Sequence, residues 1–342
     1  MNRRYFLLGS SVAATTACTI DRRPRINVFN WSNYIAHDTI QNFEREFGVR
    51  VRYSVYESNE EMLAKVITGN AGWDVVFPTH NRIAPMARNG LLAPLVHNKL
   101  KNVHNLAQQF QHPPWDPELR FAIPYMWNAT GIVYNRQIEP APAAWSDLWS
   151  TRWQRRVTML DDPEDVLGAC LLKLGLPFDS TTPTDLDNAK NEAVAQKRTI
   201  RAYLNAEVRD QLVAGDLLAA QAWSTTAQQA IAASSALGFV FPREGFPLYA
   251  DNCAILREST RPELAHEFLN YLLRPEVAAA AATESETATA NEAATLLLPE
   301  ATRDNPTLYP SAAIRERAIW PVALPGPALR LRDRIWTEIK SA

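Results

Sequence analysis

The 342-residue sequence predicts an α/β fold of two lobes, in which mixed sheets are flanked by helices. Apolar residues make up 46% of the chain, which is enough to build substantial cores, and the length suits two compact domains. Short β-branched or aromatic runs alternate with longer segments of helical period, a pattern typical of βαβ units. The chain is therefore expected to fold rather than to remain disordered.

The first 20 residues, MNRRYFLLGSSVAATTACTI, have the make-up of an export signal. Arg3 and Arg4 form a basic start, and the apolar stretch behind them is too short to span a membrane. RRYFLL resembles the twin-arginine export pattern. TTAC resembles a lipoprotein cleavage site, although Thr15 stands where Leu or a branched residue is usual. The sequence predicts export and leaves lipidation of Cys18 open.

The charge balance of the exported chain argues against a nucleic-acid partner. Removal of residues 1–20 takes away two arginines and no acid, which leaves 33 basic against 37 acidic side chains. Phosphate recognition needs a basic surface, and none is evident in this sequence. A cationic ligand is compatible with the acidic balance.

Three strand–helix units follow the signal within about 70 residues, as expected of an open α/β domain. Ile40, Phe43 and Phe47 recur at helical spacing after the first strand, and Gly48 supplies a stop. The strands are predicted at 26–31, 49–56 and 73–78, and the helices at 37–48, 58–70 and 82–95.

Aromatic and acidic side chains recur just past the predicted strand ends. Ligands bind outside the carboxyl ends of the strands in such sheets, so these positions are the first candidates for a site. The candidates are Trp31, Ser32 and Tyr34 after the first strand, Thr79 and Asn81 in PTHN, Asp161, Asp162 and Asp165 in MLDDPED, Trp223 in AAQAW, and Tyr249 and Asp251 in PLYADN.

This mixture of side chains suits a linear polyamine. Aromatic faces attract cations by about 0.5–2 kcal/mol per contact, and carboxylates form charge-assisted hydrogen bonds with ammonium groups. Two alternatives stay open at this point: a core position for Trp223, and a solvated helix-capping turn for Asp161 and Asp162.

The sequence gives little support to an enzymatic function. The six histidines show no zinc-ligand spacing, and neither a GxSxG elbow nor a glycine-rich phosphate loop is present. The acids of DDPED do not by themselves identify a glycosidase. His80 is the best single catalytic candidate, although a cleft-lining or surface histidine is the more frequent explanation. Cys170 and Cys253 lie in separate apolar runs and are expected to be buried and unpaired. No catalytic residue, metal or cofactor is predicted.

The sequence resembles the bacterial spermidine/putrescine-binding proteins of polyamine ABC transporters. The similarity runs in order over nearly the whole exported chain, from about Ile26 to about Trp320. It is carried by FNWSNYI, YESNEEMLAKV, WDVVFPT, FAIPYMWNATGIVYN, AWSDLW, FPREG, NYLLRPEVA and LYP.

The resemblance implies a periplasmic-binding-protein-like clamp, whose two lobes are joined by a crossover hinge. The lobes are expected to be discontinuous, one from 21–130 plus 251–296 and the other from 131–250 plus 297–342. The resemblance assigns aromatic walls to Trp31, Tyr34 and Trp223, hydroxyl contacts to Ser32 and Thr79, and acids for ammonium recognition to Asp162, Asp165 and Asp251; Asn81 and Tyr249 complete the predicted ligand-binding set.

Several positions depart from the family pattern. Asn33 stands where the spermidine binder has an acid, Asn81 where it has Tyr, and Tyr249 where it has Trp. Thr287 lies near a position of Tyr, and Pro321 near a Gln. The ligand class is therefore better supported than the ligand's chain length.

The expected function is that of an exported, non-enzymatic binding protein, monomeric and periplasmic, with anchoring through a lipidated Cys18 left open. It captures a polyamine of the putrescine or spermidine type and delivers it to an ABC permease. Two alternatives remain: a receptor for another amine-bearing solute, and a polyamine sensor that partners a membrane signalling protein. An enzyme that uses the DDPED acids is a distant third.

Overall fold

The computed structural model describes residues 23–69, 71–153 and 155–342. The predicted export signal at 1–20 and the candidate lipidation site at Cys18 lie outside the described residues. Within the described part, no helix is both long and apolar enough to cross a bilayer.

The described chain forms strands and helices in the alternating order expected of an α/β protein. The strands are β1 (Arg25–Trp31), β2 (Arg50–Tyr56), β3 (Val75–Val76), β4 (Ala122–Asn135), β5 (Val157–Thr158), β6 (Ala219–Trp223), β7 (Leu237–Val240), β8 (Phe246–Ile255), β9 (Ala288–Thr289) and β10 (Ala318–Ile319). The helices are α1 (Thr39–Phe47), α2 (Asn59–Val66), α3 (His80–Arg88), α4 (Gln108–Gln111), α5 (Pro163–Lys173), α6 (Pro183–Lys197), α7 (Val208–Val213), α8 (Ser224–Ala233), α9 (Pro262–Leu272), α10 (Pro275–Ser285), α11 (Glu292–Thr295), α12 (Glu300–Arg303), α13 (Ala312–Arg315) and α14 (Gly326–Ser341).

The strands form a mixed sheet in the order β2-β1-β3-β8-β4-β6-β5. β1 pairs in parallel with β2 and β3, whereas β8 runs antiparallel between β3 and β4. β6 pairs antiparallel with β4 and parallel with β5. The predicted α/β class with mixed sheets is confirmed.

The long strand β4 connects the two groups of strands. Its residues from Ala122 to Ala129 pair with β8, and those from Thr130 to Tyr134 pair with β6. The predicted lobe boundaries, at 130/131 and 250/251, fall inside β4 and β8. The crossover connections are therefore expected in these two neighbouring strands, and the division of the chain into lobes stays a prediction.

Local signals explain where the first helices begin and end. Gly48, at φ +64°, ends α1 in the left-handed conformation that glycine adopts without strain. The Ser58 hydroxyl caps α2 by accepting a 3.1 Å hydrogen bond from the Glu61 N–H. The helix predicted over 82–95 is misplaced: α3 begins at His80 and ends at Arg88, because the chain turns at Gly90, where φ is +70°.

Large apolar side chains fill the interior on both sides of the sheet. The largest fully buried ones include Trp145, Phe43 and Phe268. Cys170 and Cys253 are buried and free, which confirms the expectation that they act as small apolar side chains.

Gly168 in α5 is required by the packing of Phe178. A Cβ at this position would overlap the Phe178 ring. We expect Gly168→Ala to lower the free energy of unfolding by about 1–3 kcal/mol, even though Ala favours helices, because overpacking outweighs the propensity gain. Urea unfolding measures this change. The same substitution in a Phe178→Leu background should cost less, and an unchanged stability in the wild-type background would contradict the packing argument.

Candidate ligand-binding site

All ten predicted site residues line one cavity of about 200 Å³. They are Trp31, Ser32, Tyr34, Thr79, Asn81, Asp162, Asp165, Trp223, Tyr249 and Asp251. The set comes from strand ends far apart in sequence, which the sheet brings to one place. That these side chains hold a ligand remains a prediction.

Trp31 and Tyr34 form one aromatic wall of the cavity. The Trp31 indole N–H donates a 2.8 Å hydrogen bond to the Phe77 carbonyl, and its ring lies 4.7 Å from the ring of Tyr56. Tyr34 is only 8% exposed and belongs to the core as well as to the cavity. Contacts within the protein therefore hold both rings in place.

The turn between these aromatics explains the local sequence. Asn33 has φ +54°, in the left-handed region that Asn enters more readily than most residues. The Ser32 hydroxyl donates a 2.9 Å hydrogen bond to a Glu57 oxygen. Asn33 thus meets a backbone requirement at the position where the resembled family has an acid.

Asp251 lies on β8 with both carboxylate oxygens occupied by hydroxyl donors. Thr79 donates to one oxygen at 2.8 Å, and Tyr34 donates to the other at 2.9 Å. Burial raises the pKa of Asp251 to about 6, although these two hydrogen bonds act in the opposite direction. A carboxylate offers about four acceptor positions, so two remain for a ligand donor.

Asp165 occupies the first turn of α5 and also lines the cavity. It accepts hydrogen bonds from the Trp223 indole N–H at 3.0 Å and from the Tyr249 hydroxyl at 3.2 Å. Burial, and then the charge of Asp162, hold the pKa of Asp165 well above its usual value. The arrangement places a desolvated acid against two aromatic side chains.

Asp162 has two roles that the sequence analysis treated as alternatives. Its side chain caps α5 by accepting hydrogen bonds from the backbone N–H groups of Glu164 at 2.8 Å and Asp165 at 3.0 Å. It also lines the cavity, and burial raises its pKa. The interpretation of Asp162 as a helix cap is therefore correct, and Asp162 also belongs to the candidate site.

Four charged residues of the cavity were missed as site candidates. These are Glu57, Glu60, Arg82 and Glu164, and burial raises the pKa of Glu164 to about 7. Glu57 and Glu60 follow the second strand, so the strand-end rule could have found them had it been applied there. With Asp161, Asp162, Asp165 and Asp251, the described lining holds seven acids and one base.

His80 is neither a surface nor a cleft-lining residue, so that expectation is wrong. It is 2% exposed, with Nε2 bonded to the Pro321 carbonyl at 2.8 Å and Nδ1 accepting from the Ala250 N–H at 3.3 Å. Burial lowers its pKa to about 4. His80 is thus a neutral structural link between α3, β8 and the segment that contains Pro321.

Thr287 and Pro321, which lie near the family's Tyr and Gln positions, do not line the cavity. Thr287 is fully buried, and its hydroxyl lies 3.1 Å from that of the lining residue Thr225. Pro321 contributes only its carbonyl to His80 among the hydrogen bonds described above. Over residues 23–69, 71–153 and 155–342, no group of three His, Cys, Asp or Glu side chains is placed to hold a metal ion.

A family model described as bacterial extracellular solute-binding protein matches residues 38–309. The chain belongs to this family. Its members capture solutes for transport and are not a family of enzymes. The chain is 32% identical to the putrescine-binding periplasmic protein PotF of Escherichia coli, over 100% of this chain and 99% of that protein.

Solved structures of the family share the fold. The spermidine/putrescine ABC transporter substrate-binding protein PotD of Streptococcus pneumoniae superposes with a TM-score of 0.82 at 27% identity, covering 93% of this chain and 99% of that one. The TpPotD lipoprotein of Treponema pallidum gives a TM-score of 0.83 at 25% identity, covering 92% of this chain and 99% of that one. The solute-binding-protein fold, a two-lobed clamp, is confirmed.

The raised pKa of Asp251 makes a prediction for the ligand-free protein. Because the carboxyl binds its proton more tightly when folded, its contribution to stability is fully present below pH 3.8 and is lost as the pH rises through about 6. We expect this contribution to be on the order of 3 kcal/mol. Asp251→Asn should lack it.

Urea unfolding of both proteins between pH 4 and pH 7.5 measures the difference. Wild-type stability should fall relative to that of Asp251→Asn as the pH rises. Asp216→Asn, a change at an exposed acid, serves as the control and should follow the wild type. Parallel curves for the wild type and Asp251→Asn would contradict the assignment.

Proposed function

We propose that this solute-binding protein captures a linear polyamine of the putrescine or spermidine type and delivers it to an ABC permease. The observation that carries the proposal is the charge of the cavity: among the described residues that line it, seven are acidic and one is basic, beside four aromatic side chains, Trp31, Tyr34, Trp223 and Tyr249.

The acids need cations because they are desolvated. The pKa values of Asp162, Asp165 and Asp251 are raised mainly by burial, so their ionised forms are unfavourable in the ligand-free site. An ammonium group restores the ionised form through Coulombic attraction and charge-assisted hydrogen bonds. The aromatic faces suit the methylene segments between ammonium groups.

The relatives support the same ligand class. PotF of Escherichia coli is a putrescine-binding protein, and PotD of Streptococcus pneumoniae belongs to a spermidine/putrescine transporter. Full-length similarity to these proteins favours polyamines over an unrelated amine.

Closure of the lobes about β4 and β8 is the proposed mechanism. Trp31 and Asp251 would contact the ligand from one side of the cavity, and Asp165 and Trp223 from the other. A ligand that contacts both sides binds the closed state better than the open state and so shifts the population toward closure. The permease would then recognise the closed form.

The remaining proposals concern location and assembly. The protein would act as a monomer in the periplasm, without turning over its ligand. Anchoring through a lipidated Cys18 is supported by the TTAC pattern and by the lipoprotein nature of the Treponema pallidum relative.

Isothermal titration tests the proposal directly. The exported chain is unfolded and refolded to remove any bound ligand, then titrated with putrescine, cadaverine, spermidine and spermine. Micromolar or tighter binding of at least one of them is expected. A protein that is folded by circular dichroism yet binds none of the four would overturn the proposal.

Asp251→Asn should weaken polyamine binding at least tenfold, because the variant loses a charge-assisted contact to an ammonium group. Titration measures the change, with Asp216→Asn again as the control that should bind as the wild type does. Trp31→Ala should also weaken binding while the circular dichroism spectrum stays native. Unchanged affinity in Asp251→Asn would remove this acid from the site.

A further inference from the structure

Arg82 is the single base among the described residues that line the cavity. Its side chain is 18% exposed. The guanidinium lies 3.2 Å from a Glu60 oxygen and 3.8 Å from a Glu164 oxygen. Its Nε is buried and has no hydrogen-bond partner. The protein thus places its own cation among the acids of the cavity.

The acids around Arg82 are already matched by the protein. Glu164 accepts a 2.8 Å hydrogen bond from the Asn81 amide and faces the Arg82 guanidinium. Burial raises the pKa of Glu164 to about 7, and the charges of Arg82 and Arg332 act in the opposite direction. A ligand ammonium near Glu164 would meet a carboxyl that already faces a protein cation, and it would lie close to a fixed like charge.

Asp165 and Asp251 differ from Glu60 and Glu164, because no charged side chain among the described residues pairs with them. The side-chain donors described for them are uncharged: the Trp223 indole and the Tyr249 hydroxyl for Asp165, and the Thr79 and Tyr34 hydroxyls for Asp251. In the described part of the chain, neither Asp165 nor Asp251 forms an ion pair with Lys, Arg or His. Asp162 also lacks an ion pair, but its carboxylate caps α5, and the charge of Arg82 favours its ionised form. Glu57, a further lining acid, is exposed. Asp165 and Asp251 are therefore the buried lining carboxylates that neither face a protein cation nor cap a helix.

We propose that Arg82 takes the place of a third ligand ammonium and so makes the cavity selective for a diamine over a triamine or tetramine. This inference rests on the proposed polyamine function and deepens it. A diamine carries two ammonium groups, which match Asp165 and Asp251. Spermidine carries a third, which the guanidinium repels because like charges that compete for the same carboxylates disfavour binding.

Two other roles for Arg82 give different results in the same experiment. In the first role, which we call a latch, the ion pair of Arg82 with Glu164 joins α3 to α5. A latch would favour closure with any ligand and would not change the preference among ligands. A site for a ligand carboxylate would favour a compound such as 4-aminobutyrate. The excess of acids in the cavity favours the proposal over this second role.

The test compares Arg82→Gln with Glu164→Gln, which removes the ion pair between Arg82 and Glu164 but leaves the guanidinium and its contact with Glu60 in place. Titrations use putrescine, cadaverine, spermidine, spermine and 4-aminobutyrate. We expect the wild type to bind putrescine or cadaverine at least tenfold more tightly than spermidine. Arg82→Gln should reduce that ratio at least tenfold, whereas Glu164→Gln should keep or increase it. Arg82→Lys should retain the wild-type preference.

Arg82→Met provides a second neutral variant, and circular dichroism checks that each variant is folded. Equal weakening of all amines by Arg82→Gln and Glu164→Gln would show a latch and overturn the inference. A wild type that binds spermidine as tightly as a diamine would also overturn it while leaving the proposed function intact. Binding of 4-aminobutyrate alone, or of no amine, would overturn both.

Discussion

The antiparallel pairing of β4 with β8 is the constraint on which the rest of the molecule depends. β4 is long enough to pair with β8 along its first part and with β6 along its last, so the sheet continues from β1 to β6 through the β4–β8 pair. The Asp251 carboxyl is carried by β8, while Thr130, where β4 passes from β8 to β6, pairs with Trp223. The proposed hinge and the candidate site thus depend on the same pair of strands.

Desolvation of carboxylates is the energetic consequence of this arrangement. An acid that is removed from water without a counter-cation is held near neutrality, and its pKa rises. The structure surrounds Asp165 and Asp251 with hydroxyl and indole donors, which orient the carboxylates without neutralising their charge. The site therefore gives up stability in the ligand-free state, and a bound cation recovers it.

The sequence predicted most of the fold because local signals agree with the tertiary structure in the first three strand–helix units. Gly48 and Ser58 end and begin helices through backbone conformation and capping, and both effects act within a few residues. The end of α3 was misplaced although Gly90 gives a local turn signal, whereas its start depends on Thr79, which is extended and pairs with Asp251, 172 residues away. Such a contact leaves no local signal.

The sequence predicted ten of the residues that line the candidate site, but not how the charges are distributed in it. Strand-end positions and family resemblance brought ten residues to one cavity, yet Glu164 was overlooked between Asp162 and Asp165 in the same motif. The burial of His80 was also missed, because a histidine beside a strand end gives no sign that Trp115, Trp320 and Tyr249 will pack around it.

Arg82 shows why the charge distribution matters more than the list of lining residues. It directly follows Asn81, a position singled out for its departure from the family pattern, and the two side chains reach the same Glu164 carboxyl. One neutral amide and one guanidinium are thus placed on the acid that stands between Asp162 and Asp165. Any ligand ammonium near that acid must compete with a cation that is covalently part of the protein and loses no translational entropy on binding. Under the proposed role of Arg82, the number of ligand charges that the cavity accepts is set by the buried acids that neither face a protein cation nor cap a helix, and not by the total number of acids that line it.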